Sequence, residues 1–433
     1  MKIKSKNKLR FADWVSKIAN APLIAMPAFL LLNYSSPPGT DFIKITLLCF
    51  IFGSIIPVIV VAAWISRHHK LRDWSKEYDV PNREERKIPL TFIVASYLTG
   101  SILLYYFNAP LVTTGLMFCY FSTTLLVLFI SLYWKISMHT MGVSGPAAAL
   151  IFAFGPIGAV YALILPVVMW SRVYLKRHTM SQVIAGASVG FILTAIQLWA
   201  MFNAAHKPSD VYPLLWLIPA FIGPAILLSV TGFLNSRGLH DGYTRKIFHF
   251  IAFISIAVFL KYAPSDVTVI SIVIGMIYLL VSCFSGKGFL WFDGMARKSD
   301  APNEKLYVIL PMASTVAGLG ASWALFGHPF VEIGMLCVAI GDAVAEPVGV
   351  RWGRHKFKVY SLTGKMSQRS IEGSLSVFLA CALIIFLVSG SVTVSLLIGF
   401  SLSIIEAISP RGTDNFTVLA GASALLWLSG VMP

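Results

Sequence analysis

The residues best placed to do chemistry lie in Gly341–Ser374, GDAVAEPVGVRWGRHKFKVYSLTGKMSQRSIEGS. An apolar run, Val331–Ile340, leads straight into Gly341-Asp342. An acid at the end of a membrane span is costly unless a partner or a function uses it. Asp342 is therefore a candidate Mg2+ ligand, because Mg2+ takes one or two carboxylates and completes its shell with phosphate oxygens and water. Glu346 stands one helical turn further on, where it can support Asp342. Ala345, Gly349 and Gly353 follow Gly341 at four-residue steps, and glycines on one helical face admit a close backbone or a phosphate. The loop then carries Arg351, Arg354, Lys356, Lys358, Lys365 and Arg369 before Ser370-Ile371-Glu372-Gly373-Ser374 opens the next apolar run. Such a loop suits a polyphosphate. Lys365 and Arg369 are candidates for gripping the β- and γ-phosphates, with Gly364 and Gly373 letting backbone N–H groups approach. A transferring phosphoryl group needs its charge neutralised and its oxygens aligned, which is what these residue types supply.

Two smaller clusters go with this stretch. Thr244-Arg245-Lys246-Ile247-Phe248-His249 begins a span, and His249 shares a helical face with Lys246 three residues earlier. Arg411-Gly412-Thr413-Asp414-Asn415 opens the last apolar run, with Glu406 near the end of the run before it. Each has a bland meaning too. An Arg-Lys pair at a span end is ordinarily an orientation anchor, and a lone His on an apolar face is ordinarily a core residue. A base for an acceptor hydroxyl could be Asp342, Glu372 or His249, and the residue types do not rank them. Gly364-Lys365-Met366 fails the G-x4-G-K-[ST] pattern, which excludes a P-loop kinase. Nearer the N-terminus, Ser171-Arg172 is followed by His178 and Gln182, and Ser137-Met138-His139-Thr140 and Asp79–Lys87 form two more polar clusters. Neutral imidazole is a nucleophile at pH 7 and guanidinium stabilises a phosphoryl transition state. Taken singly, the same His and Arg residues are headgroup contacts.

The elements that must position these groups are helices in lipid. The chain has 433 residues, 57% of them hydrophobic and 12% charged, with mean hydropathy +0.77. A soluble domain carries about 25% charged residues. The expected fold is therefore all-α, a polytopic integral membrane protein. Apolar runs stand at 22–34, 42–65, 88–108, 110–134, 144–155, 157–170, 182–205, 213–234, 246–262, 267–284, 305–327, 329–350, 371–389, 391–408 and 413–431, about fifteen candidate spans. With the N-terminus taken as cytosolic, the loops at 66–87, 135–143, 171–181, 235–245, 285–304, 351–370 and 409–412 hold nearly all the loop Lys and Arg, as the positive-inside rule requires. The net charge of +15 is thus spent on topology and phosphates, and does not point to nucleic acid. Cys49, Cys119, Cys283, Cys337 and Cys381 all fall in apolar runs without metal-site spacing. The polar loop at 206–210 is the best boundary, dividing the chain into 1–206 and 207–433.

The S-R-x5-H pattern at Ser171, Arg172 and His178, with His139 in a Ser-x-His-Thr context, resembles the type 2 phosphatidic acid phosphatase family over about 130 residues. That resemblance implies a phosphohistidine at His178, with His139 protonating the leaving alcohol. Arg172, joined by Arg83 or Arg86, would hold the phosphate. Gln182 stands where the family has an Asp, and an amide can orient the ring but cannot stabilise imidazolium as a carboxylate does.

The ordered set R-K-x-x-H, G-D-x-x-A-x3-G-x3-G, R-S-x-E-G-S and D-N resembles the polyprenol kinase family, which includes dolichol and phytol kinases and CTP-dependent diacylglycerol kinases. The resemblance runs over roughly 213–431. It implies a nucleoside triphosphate donor, usually CTP, with Mg2+, and a lipid alcohol acceptor. Arg245, Lys246, Asp342, Gly349, Gly353, Glu372, Gly373 and Ser374 would line the nucleotide site, and Ser370, Asp414 and Asn415 would join them. Arg369 stands where a Lys often precedes the Ser-x-Glu-Gly-Ser motif, which keeps the charge and changes the donor geometry. The competing expectation is a non-enzymatic lipid transporter or binding protein, whose acids would line a path across the bilayer. Membrane lipids are expected partners, and the sequence does not set the oligomeric state.

Overall fold

Each long apolar run becomes a helix because lipid offers its backbone no hydrogen-bond partners. The computed structural model describes residues 6–36, 41–68, 84–207, 212–361 and 366–431. The helices are α1 (Lys6–Ile18), α2 (Ala21–Tyr34), α3 (Phe42–Phe50), α4 (Ile56–His68), α5 (Lys87–Tyr106), α6 (Leu111–Ile130), α7 (Met138–Phe154), α8 (Leu165–Tyr174), α9 (Met180–Ala204), α10 (Tyr212–Ser236), α11 (Asp241–Tyr262), α12 (Ser265–Ser285), α13 (Leu290–Asp293), α14 (Glu304–Phe326), α15 (His328–Arg351), α16 (Ile371–Ser389), α17 (Val392–Ile408) and α18 (Asp414–Leu428). Between α15 and α16 lies an antiparallel hairpin of β1 (Lys356–Val359) and β2 (Ser367–Ser370), with Phe357 opposite Arg369.

The all-α polytopic membrane architecture holds. Among the described residues eleven helical segments are long and apolar enough to cross a membrane, or twelve if the bent pair α1–α2 counts as one. The sequence reading of about fifteen is corrected at identifiable places. The runs at 144–155 and 157–170 belong to one segment, Met138–Tyr174, in which Gly155 at φ +67° breaks α7 and a 3-10 stretch leads into α8. The run at 22–34 is half of the bent pair, and α17 and α18 are only 17 and 15 residues long.

The chain divides into two compact units, Met1–Ala225 and Ile226–Pro433. The division falls inside α10 and not in the polar loop at 206–210. Hydropathy marks where a chain leaves the membrane, whereas packing partners change along a single helix. Phe221 packs on Phe191 in the first unit, while Ser229 accepts a hydrogen bond from Trp291 Nε1 at 2.9 Å in the second.

In the first unit α7 and α9 meet backbone to backbone. A Cβ at Gly190 would lie 2.4 Å from Ser144 Oγ, and one at Gly186 would lie 2.3 Å from the Ser137 carbonyl. Asn33 ties three helices together, donating to Thr46 Oγ1 at 3.1 Å and accepting from Thr113 Oγ1 at 2.8 Å. Such interhelical hydrogen bonds hold apolar helices where lipid supplies no hydrophobic drive between them. In the second unit α11 and α15 run antiparallel and are pinned by ion pairs at both ends, Lys246 with Asp342 and Lys261 with Glu332. The core between α11, α15, α16, α17 and α18 is filled by residues such as Leu260, Met335, Val377, Leu402 and Leu419.

Close helix approach makes one substitution diagnostic. A Cβ at Gly399 would lie 2.8 Å from Ala382 N and Cβ. Gly399→Val is expected to push α17 off α16 and cost about 1–3 kcal/mol, read as a lower unfolding temperature in detergent. Gly275→Ala, where a Cβ meets nothing within 4 Å, is the control and is expected to leave the transition in place.

Candidate functional site

The polar end of the second unit gathers side chains that are far apart in sequence. Arg245, Lys246 and His249 come from the first turns of α11, Asp342 and Glu346 from the last turns of α15, and Arg369 from β2. Lys246 Nζ contacts an Asp342 carboxylate oxygen and lies 3.4 Å from Glu346 Oε2. His249 Nδ1 lies 3.6 Å from the other Asp342 oxygen, and its ring stacks on Phe253. Glu346 also accepts from Arg297 Nη2 at 2.5 Å. Arg245 reaches Asp300, 3.4 Å away, and Arg411 donates to the other oxygen of Asp300 at 2.6 Å. Arg369 donates to Glu406 at 2.5 Å and to Asp414 and the Ser409 carbonyl at 3.2 Å each.

Beside this network lies an open pocket of about 290 Å³ lined by Glu346, Gly349, Lys356, Gln368, Arg369, Ser370, Gly373, Ser374 and Glu406. Its floor follows from local sequence. Ser370 caps α16 by accepting from the Gly373 N–H at 3.1 Å. Gly349 and Gly373 approach each other over that cap, since a Cβ at Gly373 would come 2.9 Å from the Ala345 carbonyl and one at Gly349 would come 2.9 Å from Ser370 Oγ. Ser374 Oγ is buried on the pocket wall with no hydrogen-bond partner among the described residues. A second, much smaller cavity is lined by Asp342, Glu406, Asp414 and Asn415. Basic groups, a capped helix N-terminus and carboxylates around one open pocket can hold a phosphorylated ligand.

Some expected site residues stand elsewhere. Glu372 is absent from the pocket lining and accepts from the Arg354 and His355 N–H groups at 3.1 and 3.2 Å and from His355 Nδ1 at 2.8 Å. Through those contacts Glu372, at the start of α16, fastens the loop, and it is not among the groups that line the pocket. Gly353 packs, with a Cβ there meeting the Gly349 carbonyl at 2.1 Å. Asn415 lines the smaller cavity and bridges helices there, donating to the Pro311 carbonyl at 3.2 Å and to Thr315 Oγ1 at 3.0 Å. Gly364 and Lys365 lie outside the described residues, as does Arg83. The sequence reading missed Arg297 and Asp300. In the loop at 285–304 nothing in residue type separates Asp300, 1% exposed, from the other loop acids.

In the first unit the residues of the S-R-x5-H pattern stand at the end of α8 and just ahead of α9. The Arg172 carbonyl accepts from the His178 N–H at 3.3 Å, and Arg172 Nη1 donates to Ser16 Oγ of α1 at 2.5 Å. Gln182 Oε1 lies 3.1 Å from both His178 Nδ1 and the Thr179 N–H, completing a capping box at the start of α9. The Ser137 N–H donates to the Gln182 carbonyl at 3.3 Å, which brings the start of α7, and with it His139, to the same place. Arg172, His178 and His139 are all buried.

No protein-family model matches the chain. No solved structure matches it. Among curated proteins it is similar to a phytol kinase from Synechocystis sp., 33% identical over 130 residues, covering 28% of this chain and 54% of that protein. The chain thus spans about half the length of the curated relative it matches.

Removing the shared cation between Glu406 and Asp414 tests the network. Arg369→Ala is expected to cost about 2–3 kcal/mol, read by thermal unfolding, because two half-buried carboxylates lose their common partner. The cost stays below that of a fully buried orphan since Asp414 is 24% exposed. Arg369→Lys is expected to recover only part, because an ammonium lacks the fork that spans both acids. An unchanged transition in Arg369→Ala removes this account.

Proposed function

We propose that Ile226–Pro433 transfers a phosphoryl group from a nucleoside triphosphate, CTP, to the hydroxyl of an isoprenoid alcohol of the phytol, dolichol or polyprenol class at the cytosolic face of the membrane. The observation that carries this reading is the convergence of Lys246 from α11, Asp342 and Glu346 from α15 and Arg369 from β2 beside one open pocket. The partial similarity to a phytol kinase supports it. So does the concentration of loop Lys and Arg on one side of the spans, which supports a cytosolic N-terminus and motif loops.

The residues divide by position along α11. Arg245 and Lys246 lie at the polar end, where they neutralise phosphate charge. His249 is one turn deeper, toward the apolar part of the bundle, where an alcohol arriving from the bilayer presents its hydroxyl. Lys356, Arg369, Ser370 and Ser374 offer donors to the phosphates from the pocket side. Asp342 and Glu346, one turn apart on α15, are the carboxylates that would hold Mg2+. Among the described residues no group of three or more His, Cys, Asp or Glu gathers as a metal cage. That donor set fits Mg2+ arriving with the triphosphate, since this ion needs only one or two carboxylates from protein. When bound, it would supply neutralisation of the charge that builds on the phosphate oxygens.

The first unit supports a second reading. The juncture of Arg172, His178 and Gln182 suits a lipid phosphate, with hydrolysis held back because a neutral amide faces His178 Nδ1. Fused to a kinase, it would reverse the phosphorylation of the same class of lipid.

Purified protein incubated with γ-labelled CTP, ATP, GTP or UTP and with phytol, farnesol, long polyprenols or diacylglycerol is expected to label an isoprenoid alcohol, most efficiently from CTP. Asp342→Asn is expected to lower that rate by about a thousandfold. No labelled lipid from any donor overturns the kinase reading. Lipid movement across vesicles that needs no CTP and survives Asp342→Ala would point to a transporter. For the first unit, Gln182→Asp is expected to raise lipid-phosphate hydrolysis about tenfold or more, and His178→Ala to abolish it without touching the kinase. Hydrolysis indifferent to both substitutions removes the phosphatase reading.

A further inference from the structure

The chain between α13 and α14 carries a carboxylate that the proposed chemistry leaves unused. The side chain of Asp300 is 1% exposed. A carboxylate removed from water is tolerated only against positive charge. Asp300 has two such partners, Arg245 Nη1 at 3.4 Å and Arg411 Nη2 at 2.6 Å, one on each oxygen. The first comes from α11 and the second from the turn that enters α18, 111 residues further along the chain.

Arg411 is held on its other side as well. Its guanidinium carbon lies 4.5 Å from the centroid of the Tyr307 ring. The Tyr307 hydroxyl shares a 2.6 Å hydrogen bond with Ser361 Oγ, just past β1. The Arg411 N–H donates to the Tyr360 carbonyl at 3.2 Å. The segment that bears Asp300 is strapped down at two further points, by Arg297 on Glu346 and by the Lys298 N–H on Asp241 at 2.8 Å. One carboxylate therefore sits at the crossing of α11, the hairpin and the entry to α18.

We propose that Asp300 is a positioning residue for the phosphoryl donor. Held between Arg245 and Arg411, it fixes both guanidiniums in place, and the trio by itself carries one net positive charge to offer a polyphosphate. Asp300 does not touch the nucleotide itself. Two guanidiniums without a carboxylate between them repel, spread and rehydrate, and donors that must be reordered on binding stabilise developing charge poorly. This inference rests on the kinase reading, because it assigns the trio to the donor and not to the lipid.

The test compares wild type with Asp300→Asn, which keeps the shape and loses the charge, and with Asp300→Glu. The readouts are donor KM, lipid KM, kcat, the Kd of a fluorescent ribose-labelled CTP, and the unfolding temperature. Asp300→Asn is expected to raise donor KM and the Kd of the labelled CTP about tenfold while lipid KM stays within about twofold, and Asp300→Glu to recover part of the loss. If Asp300→Asn does not fold into the membrane, Arg411→Lys carries the same expectation, since it keeps the charge and loses the fork. The proposal falls if the folded variant binds labelled CTP as wild type does, or if both KM values rise together with a lowered unfolding temperature. Wild-type protein that binds labelled CTP without phosphorylating any lipid removes the kinase reading alone, and the binding comparison still decides the role of Asp300. Wild-type protein that binds no triphosphate removes both.

Discussion

The contact between the Lys246 ammonium and the Asp342 carboxylate is the constraint on which the second unit's polar end is built. It joins the start of α11 to the end of α15, with the two side chains only 14% and 19% exposed. At that depth a lone charge of either sign is costly, so the pair must form for either helix to keep its ionisable residue. The same logic spreads outward. Arg245, Lys246, Arg297, Arg369 and Arg411 face Asp300, Asp342, Glu346, Glu406 and Asp414 through shared oxygens and shared cations. Charge is balanced within the network before any ligand arrives. A phosphorylated ligand binding there would exchange partners with groups already in place, which is cheaper than ordering free side chains.

Backbone geometry makes the pocket beside that network. Here the hairpin β1–β2 stands between α15 and α16, and its return strand ends in Ser370, which caps α16. Glu372, reading from sequence like part of the chemistry, instead secures the loop ahead of the hairpin through two backbone amides and His355. The glycines at 349, 353 and 373 allow that loop to lie against the helix ends, because side chains there would overlap backbone atoms or Ser370. The motif therefore mixes groups that face a ligand with groups that hold the loop, and residue type does not separate them.

The first unit also buries basic groups near helix ends. Its buried Arg172 is joined to Ser16, and its His178 is met by an amide. A neutral partner fixes the ring at Nδ1 and brings no counter-charge to it. The two units thus share a habit of placing basic groups at helix ends while differing in how those groups are compensated.

The all-α membrane architecture was legible in the sequence, because twenty-residue apolar runs leave a backbone in lipid no alternative to the helix. The motif residues were legible as well, since charged groups at span ends stand out against apolar surroundings. The number of spans was not, because hydropathy does not mark the break at Gly155, where φ is +67°, or the ends of the short helices α17 and α18. Nor was the unit boundary inside α10, for the same reason. Asp300 and Arg297 had no mark in the sequence. A loop acid acquires its meaning only when two arginines, one of them 111 residues away, arrive on its two oxygens. Composition acts locally and so can be read along the chain, whereas charge pairing acts through space, and only the folded chain decides which opposite charge is near.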